Sequence, residues 1–230
     1  MGQRSQESSD VVAFHDVAIT AGCQRGLVYL GRQSVLDGFY LAGGTALALQ
    51  IGHRISTDLD CFSSTHRLLF VEREQLRDVL GQSGDFQVVA EQDGMLYTQS
   101  FGTDVSFVYQ HHPLLNPTVE YRGAQLASPL DIGLMKLAAI NSRGTRRDFV
   151  DIYCLREIVT LDRLLELAPV KYADRPSFLA IAIRALVYFQ DAEQQPMPRL
   201  LRPVDWADVR AYCEAAARKI ARRLSGLEEG

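Results

Sequence analysis

The stretch from Tyr40 to Ser63, YLAGGTALALQIGHRISTDLDCFS, constrains the fold more than any other part of the sequence. It has Gly43-Gly44 after a short apolar segment, then a predicted helix, then Asp58 and Asp60 inside a second apolar segment. Glycines between a strand and a helix permit close approach of the backbone, and the N-terminus of the helix offers unpaired N–H groups to an anion. This order predicts a phosphate-sized turn and two carboxylates at neighbouring ends of adjacent elements.

Asp58 and Asp60 are spaced for one face of a strand, where residues i and i+2 point the same way. Two carboxylates held so close are costly unless a cation lies between them, and hard oxygen ligands favour Mg²⁺. Simpler structural roles stay open for these residues. Gly43-Gly44 is also typical of a tight turn with positive φ, Thr45 can simply cap a helix, and Asp-x-Asp occurs on exposed edge strands.

Charge and composition exclude several partners. The net charge of −4, from 24 basic and 28 acidic residues, gives no global attraction to nucleic acid or anionic lipid, so such binding needs a local basic patch. The apolar runs are too short to cross a membrane, and the polar start MGQRSQESSD lacks the hydrophobic segment of a signal peptide. The four cysteines form no CxxC pair, which favours buried free thiols and a cytoplasmic location.

The first part of the chain alternates between helical and strand-like patterns. Helical spacing predicts one or two helices over 11–36 and further helices over 45–50 and 69–80. Apolar or alternating segments predict strands over 39–42, 58–63, 86–91, 95–101 and 104–109, with hairpin turns at 93–94 and 102–103 and one further edge strand over 121–127. The pattern indicates an α/β (α+β) fold, with a small mixed-sheet core over residues 1–127.

Beyond Ser128 the pattern is helical. Ser128 is a suitable N-cap with Pro129 at the first helical position. Helices are predicted over 129–141, 145–158, 161–168, 175–190 and 205–224, with a proline-containing connector over 194–203. These helices define a second predicted region, residues 128–230, which completes the cleft of the core.

Charged residues in two of these helices are candidates for a site. Lys136 is the only charge between Ile132 and Ile140, so it either reaches water or faces a polar cleft, where it could hold a phosphate. Asp148 and Asp151 lie three residues apart and share a helical face. Asp148 is also typical of a first-turn acid favoured by the helix dipole, and Asp151 could organise the helix with Arg147.

A dense basic cluster, Arg143, Arg146 and Arg147, suits a triphosphate or an RNA end, and it equally suits a solvated helix face. His111-His112 lies near the start of a proline-containing loop without an acidic or cysteine partner at metal-ligand spacing, which favours surface or loop histidines.

The two segments GGTALALQIGHRISTDLDCFS and SPLDIGLMKLAAINSRGTRRDFVDIYCL together resemble motifs of the polymerase-β-type nucleotidyltransferase superfamily. The resemblance is to the AbiEii/AbiGii branch, the toxin components of abortive-infection and toxin–antitoxin pairs, and it covers residues 38–157. It implies that the glycine turn grips a triphosphate and that the strand carboxylates hold Mg²⁺. By this resemblance, the catalytic residues are Asp58, Asp60, Lys136 and Asp148, and the substrate-binding residues are Gly43, Gly44, Thr45, Arg54 and Arg147.

The superfamily usually adds a third carboxylate from a later central strand. The matching segment here reads GTDVSFVYQHHP, in which Asp104 and Ser106 share a face. Asp104 is the candidate third metal ligand, while Ser106 takes the place where related sequences have an acid.

The resulting hypothesis is a Mg²⁺-dependent nucleotidyltransferase that moves a nucleotide from an NTP to an acceptor hydroxyl. The resemblance implies a toxin with a cognate antitoxin partner and tRNA as a candidate acceptor, and no membrane partner is expected. Two alternatives share the same motifs. One is a non-catalytic or kinase-like nucleotide-binding regulator, and the other is a small-molecule nucleotidyltransferase of the antibiotic-modifying type.

Overall fold

The computed structural model describes residues 13–226, in which seven strands form a single mixed sheet. The strands are β1 (Tyr40–Leu41), β2 (Asp58–Ser63), β3 (Gln87–Gln92), β4 (Met95–Ser100), β5 (Thr103–Tyr109), β6 (Val119–Tyr121) and β7 (Ala124–Leu126). Their order across the sheet is β3-β4-β5-β2-β1-β7-β6. The β2–β5 and β1–β7 pairs are parallel and the other neighbours are antiparallel, which confirms the predicted mixed sheet.

Nine α-helices occur within residues 13–226, and every regular element after residue 128 is a helix. They are α1 (Ala21–Leu30), α2 (Gly43–Ile51), α3 (Phe70–Gly81), α4 (Pro129–Ser142), α5 (Arg146–Leu155), α6 (Leu161–Lys171), α7 (Phe178–Ala185), α8 (Gln190–Glu193) and α9 (Trp206–Leu224). Two short 3-10 helices cover Asp16–Ala18 and Ser34–Leu36. No helix in this part of the chain has the length and apolar character needed to cross a membrane.

The hydrophobic alternation of β2 sets the orientation of the whole sheet. Leu59 and Cys61 are buried on one face, where Leu59 joins the core with Val105 and Phe107 of β5. Asp58 and Asp60 point to the other face and stay partly exposed. Because side chains alternate along a strand, burying the apolar set fixes the two carboxylates on the opposite face.

Helix α4 begins as the sequence predicts, and its position determines the second half of the site. The hydroxyl of Ser128 accepts a hydrogen bond from the N–H of Asp131, and Pro129 occupies the first turn. A left-handed Gly144, with φ of 50°, reverses the chain between α4 and α5. Helix α4 contacts α2 and α5, and α5 also contacts α2, so the helices meet the sheet near the glycine turn.

Three predicted elements differ from the structure. The helical pattern predicted over 11–36 contains α1 and the two 3-10 helices, and its first residues lie outside the described part, as does the polar start MGQRSQESSD. The predicted strand over 121–127 is a hairpin, because Arg122 and Gly123 both have positive φ and turn the chain. The predicted helix over 175–190 is divided by a turn into α7 and α8.

The remaining differences are small. The turn between β4 and β5 falls at Phe101 and Gly102, both with positive φ, so it lies one residue earlier than predicted. Helix α6 continues through Pro169 to Lys171, three residues beyond its predicted end. The four cysteines are buried and free, as expected.

Candidate active site

The Gly43-Gly44 turn begins α2 directly behind the carboxylates of β2. Gly43 has φ of 65°, and a Cβ at this position would lie 2.6 Å from Oδ2 of Asp60. A Cβ at Gly44 would lie 2.2 Å from Nη2 of Arg54. The two missing side chains therefore leave the space that Asp60 and Arg54 occupy. Within the described residues no side chain caps the start of α2, so this helix N-terminus can receive an anion.

Asp58 and Asp60 line a cavity of about 470 Å³ at this end of the sheet. The register pairs Asp60 with Ser106 on β5, and the hydroxyl of Ser106 donates to Oδ1 of Asp60 at 2.7 Å. Nη1 of Arg147 donates to Oδ2 of Asp58 at 3.3 Å. The two carboxylates are thus held by a hydroxyl and a guanidinium, and both remain accessible from the cavity.

Four cations line the same cavity. They are Arg54, Lys136, Arg143 and Arg147. Lys136 projects from α4, and its Nζ lies 2.8 Å from Oδ1 of Asp148 and 2.6 Å from Oδ2 of Asp151. Negative and positive groups therefore line one cavity, whose volume is in the range of small-molecule sites.

A buried charge network centred on Asp151 holds two of these cations. Nε and Nη2 of Arg54 donate to the two oxygens of Asp151 at 2.6 and 3.0 Å, and Nε2 of His53 lies 2.7 Å from Oδ1. Burial opposes ionisation of Asp151, but Lys136 and Arg54 hold its pKa well below the ordinary value. Burial lowers the pKa of His53. Asp151 is therefore an anion that fixes the positions of Arg54 and Lys136. The sequence predicted Arg147 as its partner, but Arg147 donates to Asp58.

Asp148 is the second anion of this network and is fully buried. Burial raises its pKa, but the charges of Lys136 and Arg143, with hydrogen bonds from Lys136 and Thr145, lower it to about 2. Asp148 and Asp151 reach Lys136 from one face of α5, as their spacing predicts. Asp148 contacts the cavity through Lys136 and Arg143 and does not line it.

The structure brings together seven of the ten residues predicted for the site. Gly43, Gly44, Arg54, Asp58, Asp60, Lys136 and Arg147 line the cavity. Asp148 lies behind it, and Thr45 is buried with its hydroxyl donating to the carbonyl of Asp58. Asp104 is exposed, pairs in register with Asp58, and lines a shallower neighbouring depression together with Asp58 and Asp60.

The basic cluster of the sequence divides in the structure. Arg143 and Arg147 line the cavity, whereas Arg146 donates to the carbonyls of Ala192 and Glu193 and lies over the ring of Trp206. Arg146 therefore joins α5 to the following helices. One arginine of the cluster has a structural role that its sequence neighbours do not share.

Several cavity residues were not found from the sequence. Phe62, Tyr97, Gln110 and Met135 line the cavity. Phe62 lies two residues after Asp60 on the same strand, so the two-residue period of a strand places its side chain on the face of Asp58 and Asp60. Phe62 could therefore have been predicted from the sequence. Tyr97 enters because β4 pairs it with Ser106, and this register cannot be derived from local sequence.

The donor set of the cavity fits a magnesium ion. Asp58 and Asp60 supply carboxylate oxygens on one strand face, Ser106 supplies a hydroxyl beside them, and among the described residues no cysteine or histidine lines this cavity. Oxygen-only donors with room for water and phosphate are those that Mg²⁺ prefers.

His111 and His112 lie in the loop after β5, as predicted, but they have an acidic partner that was not predicted. His111 is exposed, but His112 is buried, and both Nε2 atoms face Asp174, at 3.2 and 2.8 Å. Asp174 follows α6, far along the sequence, so spacing gave no indication of this acidic partner.

Comparisons with known proteins give a matching family model, a sequence relative and similar solved structures. The family model described as "Nucleotidyl transferase AbiEii toxin, Type IV TA system" matches residues 27–224. An uncharacterized protein from Aquifex aeolicus is 33% identical over 165 residues, which cover 70% of this chain and 78% of that protein. Among solved structures, the nucleotidyltransferase toxin MenT4 from Mycobacterium tuberculosis has a TM-score of 0.55 and 18% identity, covering 90% of this chain and 91% of its own.

Proposed function

This chain belongs to the AbiEii family of nucleotidyltransferase toxins, and from that premise we propose that it transfers a nucleotide from an NTP to an acceptor hydroxyl with Mg²⁺. The observation that carries the proposal is the composition of one cavity. Two carboxylates, an uncapped helix N-terminus with two glycines, and four cations surround the same space. Phosphoryl-group chemistry requires these elements, because its catalysis is mainly positioning and electrostatic stabilisation.

The glycine turn and the cations would bind the triphosphate. The N–H groups at the start of α2 would bind the β- and γ-phosphates at Gly43 and Gly44, because no side chain of the N-cap residue Ala42 occupies this helix N-terminus. Lys136 and Arg147 would neutralise charge that develops during transfer, with Arg54 behind the turn. Thr45 and Asp148 are positioning residues in this scheme, through Asp58 and Lys136 respectively.

Asp58 and Asp60 would hold the magnesium ion. When bound there, Mg²⁺ supplies charge neutralisation and a template for the phosphates. Ser106 takes the place next to Asp60, and Asp104 remains the only additional carboxylate of the described chain that lines a depression with Asp58 and Asp60. The α4–α5 pair, from the proposed region 128–230, completes the cleft over the proposed core 1–127.

We propose tRNA as the acceptor and a cognate antitoxin as the partner protein. Membership of a type IV toxin–antitoxin family supports the antitoxin, and Arg143 at the cavity supplies a half-exposed cation for an RNA end. The overall charge of −4 makes such a local contact necessary. Action on these substrates would occur in the cytoplasm, where NTPs and tRNA are found.

The direct test incubates the purified chain with each labelled NTP, Mg²⁺ and total RNA. We expect label from at least one NTP on the tRNA fraction. Asp58→Asn and Asp60→Asn, which keep the side-chain shape but remove the charge, should each lower the rate by at least about a hundredfold. Asp208→Asn, an exposed carboxylate on α9 outside the cavity, is the matched control and should keep the rate.

Other outcomes identify the alternatives. Nucleotide binding without transfer to RNA or to small hydroxyl compounds would support a non-catalytic regulator. Label on an aminoglycoside and none on RNA would support a small-molecule transferase. Full activity in both Asp58→Asn and Asp60→Asn would disprove the proposed metal site. For the biological role, expression of the wild type should arrest growth, and Asp60→Asn should not.

A further inference from the structure

A second cluster of metal-ligand side chains lies where the end of the sheet meets the helical region. His111 and His112 follow β5, and Asp174 follows α6. Their three ligand atoms all lie within 4.8 Å of one another. These residues do not line the cavity that holds Asp58 and Asp60, so they belong to a separate place in the fold.

The hydrogen bonds of His112 are incompatible with a single neutral imidazole. Its Nδ1 faces Oε1 of Gln110 at 3.2 Å, and its Nε2 faces Oδ1 of Asp174 at 2.8 Å. The orientation of the Gln110 amide is supported by the main-chain N–H of His112, which donates to the same Oε1. A neutral imidazole has only one N–H, so two acceptors require a second proton or a cation at Nε2.

A single metal ion would be a common partner for the ligand atoms of His111, His112 and Asp174. Nδ1–H of His112 would donate to Gln110, which leaves the Nε2 lone pair directed at the ion, in the manner of an outer-shell partner that fixes a ligand's tautomer. The Tyr172 ring, whose centroid lies 4.8 Å from the centroid of the His112 ring in a T-shaped contact, restricts the imidazole further. His112 is therefore a pre-oriented ligand and not a freely rotating surface histidine.

The ligand atoms reach a small tetrahedral ion only after adjustment, because they lie within 4.8 Å of one another and the two nitrogens face different oxygens of Asp174. The two imidazole nitrogens lie 3.2 and 2.8 Å from Asp174 oxygens, while a tetrahedral site with bonds of about 2.1 Å needs ligand atoms roughly 3.4 Å apart. His111 and Asp174 are exposed enough to move by this difference. The nearby Lys171 is neutralised by Asp131 at 2.9 Å, so its charge is not directed at the cluster.

We propose that His111, His112 and Asp174 bind one divalent transition-metal ion of the zinc class, with a water in the fourth position. Two imidazoles and a carboxylate suit such an ion better than Mg²⁺, which prefers oxygen ligands. The ion joins the end of β5 to the loop after α6, and Gln110, which lines the catalytic cavity, is the residue that orients His112. The bound ion would therefore connect the sheet to the helices that complete the cleft.

The test uses the full-length chain without a histidine tag, stripped by a chelator and held in a large excess of Mg²⁺. Equilibrium dialysis with Zn²⁺ should give one bound ion per chain, and Co²⁺ should give a visible absorption band typical of a nitrogen- and oxygen-ligated site. His111→Gln and Asp174→Asn alter exposed side chains and should each weaken Zn²⁺ binding by at least about tenfold. His66→Gln is the matched control, because His66 pairs with one carboxylate, Glu72, at 3.0 Å.

The outcomes are independent of transferase activity. Zn²⁺ should raise the unfolding temperature of the wild type and of His66→Gln, and raise that of Asp174→Asn by less at the same Zn²⁺ concentration. Absence of bound Zn²⁺ at about 100 μM free ion would overturn the proposal. Equal affinity in the wild type, His111→Gln and Asp174→Asn, or displacement of Zn²⁺ by excess Mg²⁺, would overturn it as well.

Discussion

Gly43 combines two requirements at one residue. Its φ of 65° is unfavourable for any residue with a Cβ, and a Cβ here would meet Asp60 Oδ2 at 2.6 Å. We expect Gly43→Ala to lose about 1–2 kcal/mol of unfolding free energy, because left-handed backbone is costly for alanine. We expect transfer to fall by at least about a hundredfold, because Asp60 must move. Denaturant titration and the labelled-NTP assay measure the two effects.

Gly84 supplies the control for this prediction. It also has positive φ, at 90°, but a Cβ there meets nothing within 4 Å. Gly84→Ala should therefore show a similar loss of stability with the wild-type transfer rate. If Gly43→Ala retained wild-type transfer, displacement of Asp60 would not be the consequence of the substitution.

Ser106 is the residue at which this chain lacks an acid beside Asp60. Ser106→Asp would introduce a carboxylate in register with Asp60. We expect it to lower the Mg²⁺ concentration that gives half-maximal transfer by roughly tenfold, since an additional anionic oxygen tightens a hard-cation site. Mg²⁺ titrations of the wild type, Ser106→Asp and Asp104→Asn measure the change. If Asp104 already provides the third ligand, Asp104→Asn will raise the Mg²⁺ requirement and Ser106→Asp will not lower it.

At the level of elements, Asp148 joins α5 to α4 through Lys136. Its pKa of about 2 lies below the ordinary 3.8, so its contribution to stability is complete above the ordinary value and is lost as the pH falls through about 2. The loss amounts to about 2 kcal/mol. We expect Asp148→Asn to be less stable than the wild type at pH 6 and to lose correspondingly less between pH 5 and pH 2. Urea titrations across this range measure both losses, and equal losses would contradict the assignment.

Local chemistry explains which elements were predictable. The N-cap Ser128 with Pro129 and the alternation of β2 depend on neighbouring residues, and the structure confirms both. The β6–β7 hairpin was missed because Arg122 adopts positive φ, which is uncommon for arginine and requires the following glycine and the strand pairing.

At the scale of the whole molecule, the site combines residues that are distant in the sequence. The glycine turn and the two carboxylates were predicted together because they lie on consecutive elements. The pairing of Asp151 with Arg54 was not predicted, because it depends on how α5 lies against the loop after α2. The contact of Tyr97 with the cavity and that of Asp174 with His112 were not predicted either, because both depend on pairing between distant segments. Sequence patterns locate elements and faces, whereas the docking of α4 and α5 decides which charges meet.

This docking predicts that the proposed regions 1–127 and 128–230 unfold together. The cavity takes Asp58 and Asp60 from one region and Lys136 and Arg147 from the other, and the Asp151 network crosses between them. We expect Trp206 fluorescence, which reports on the helices, and far-UV circular dichroism to give one coincident transition. An NTP with Mg²⁺ at about a hundred times its Kd should raise the unfolding free energy by about 2.7 kcal/mol in both signals. Two separate transitions, or a ligand effect confined to one signal, would show that the cavity does not couple the two regions.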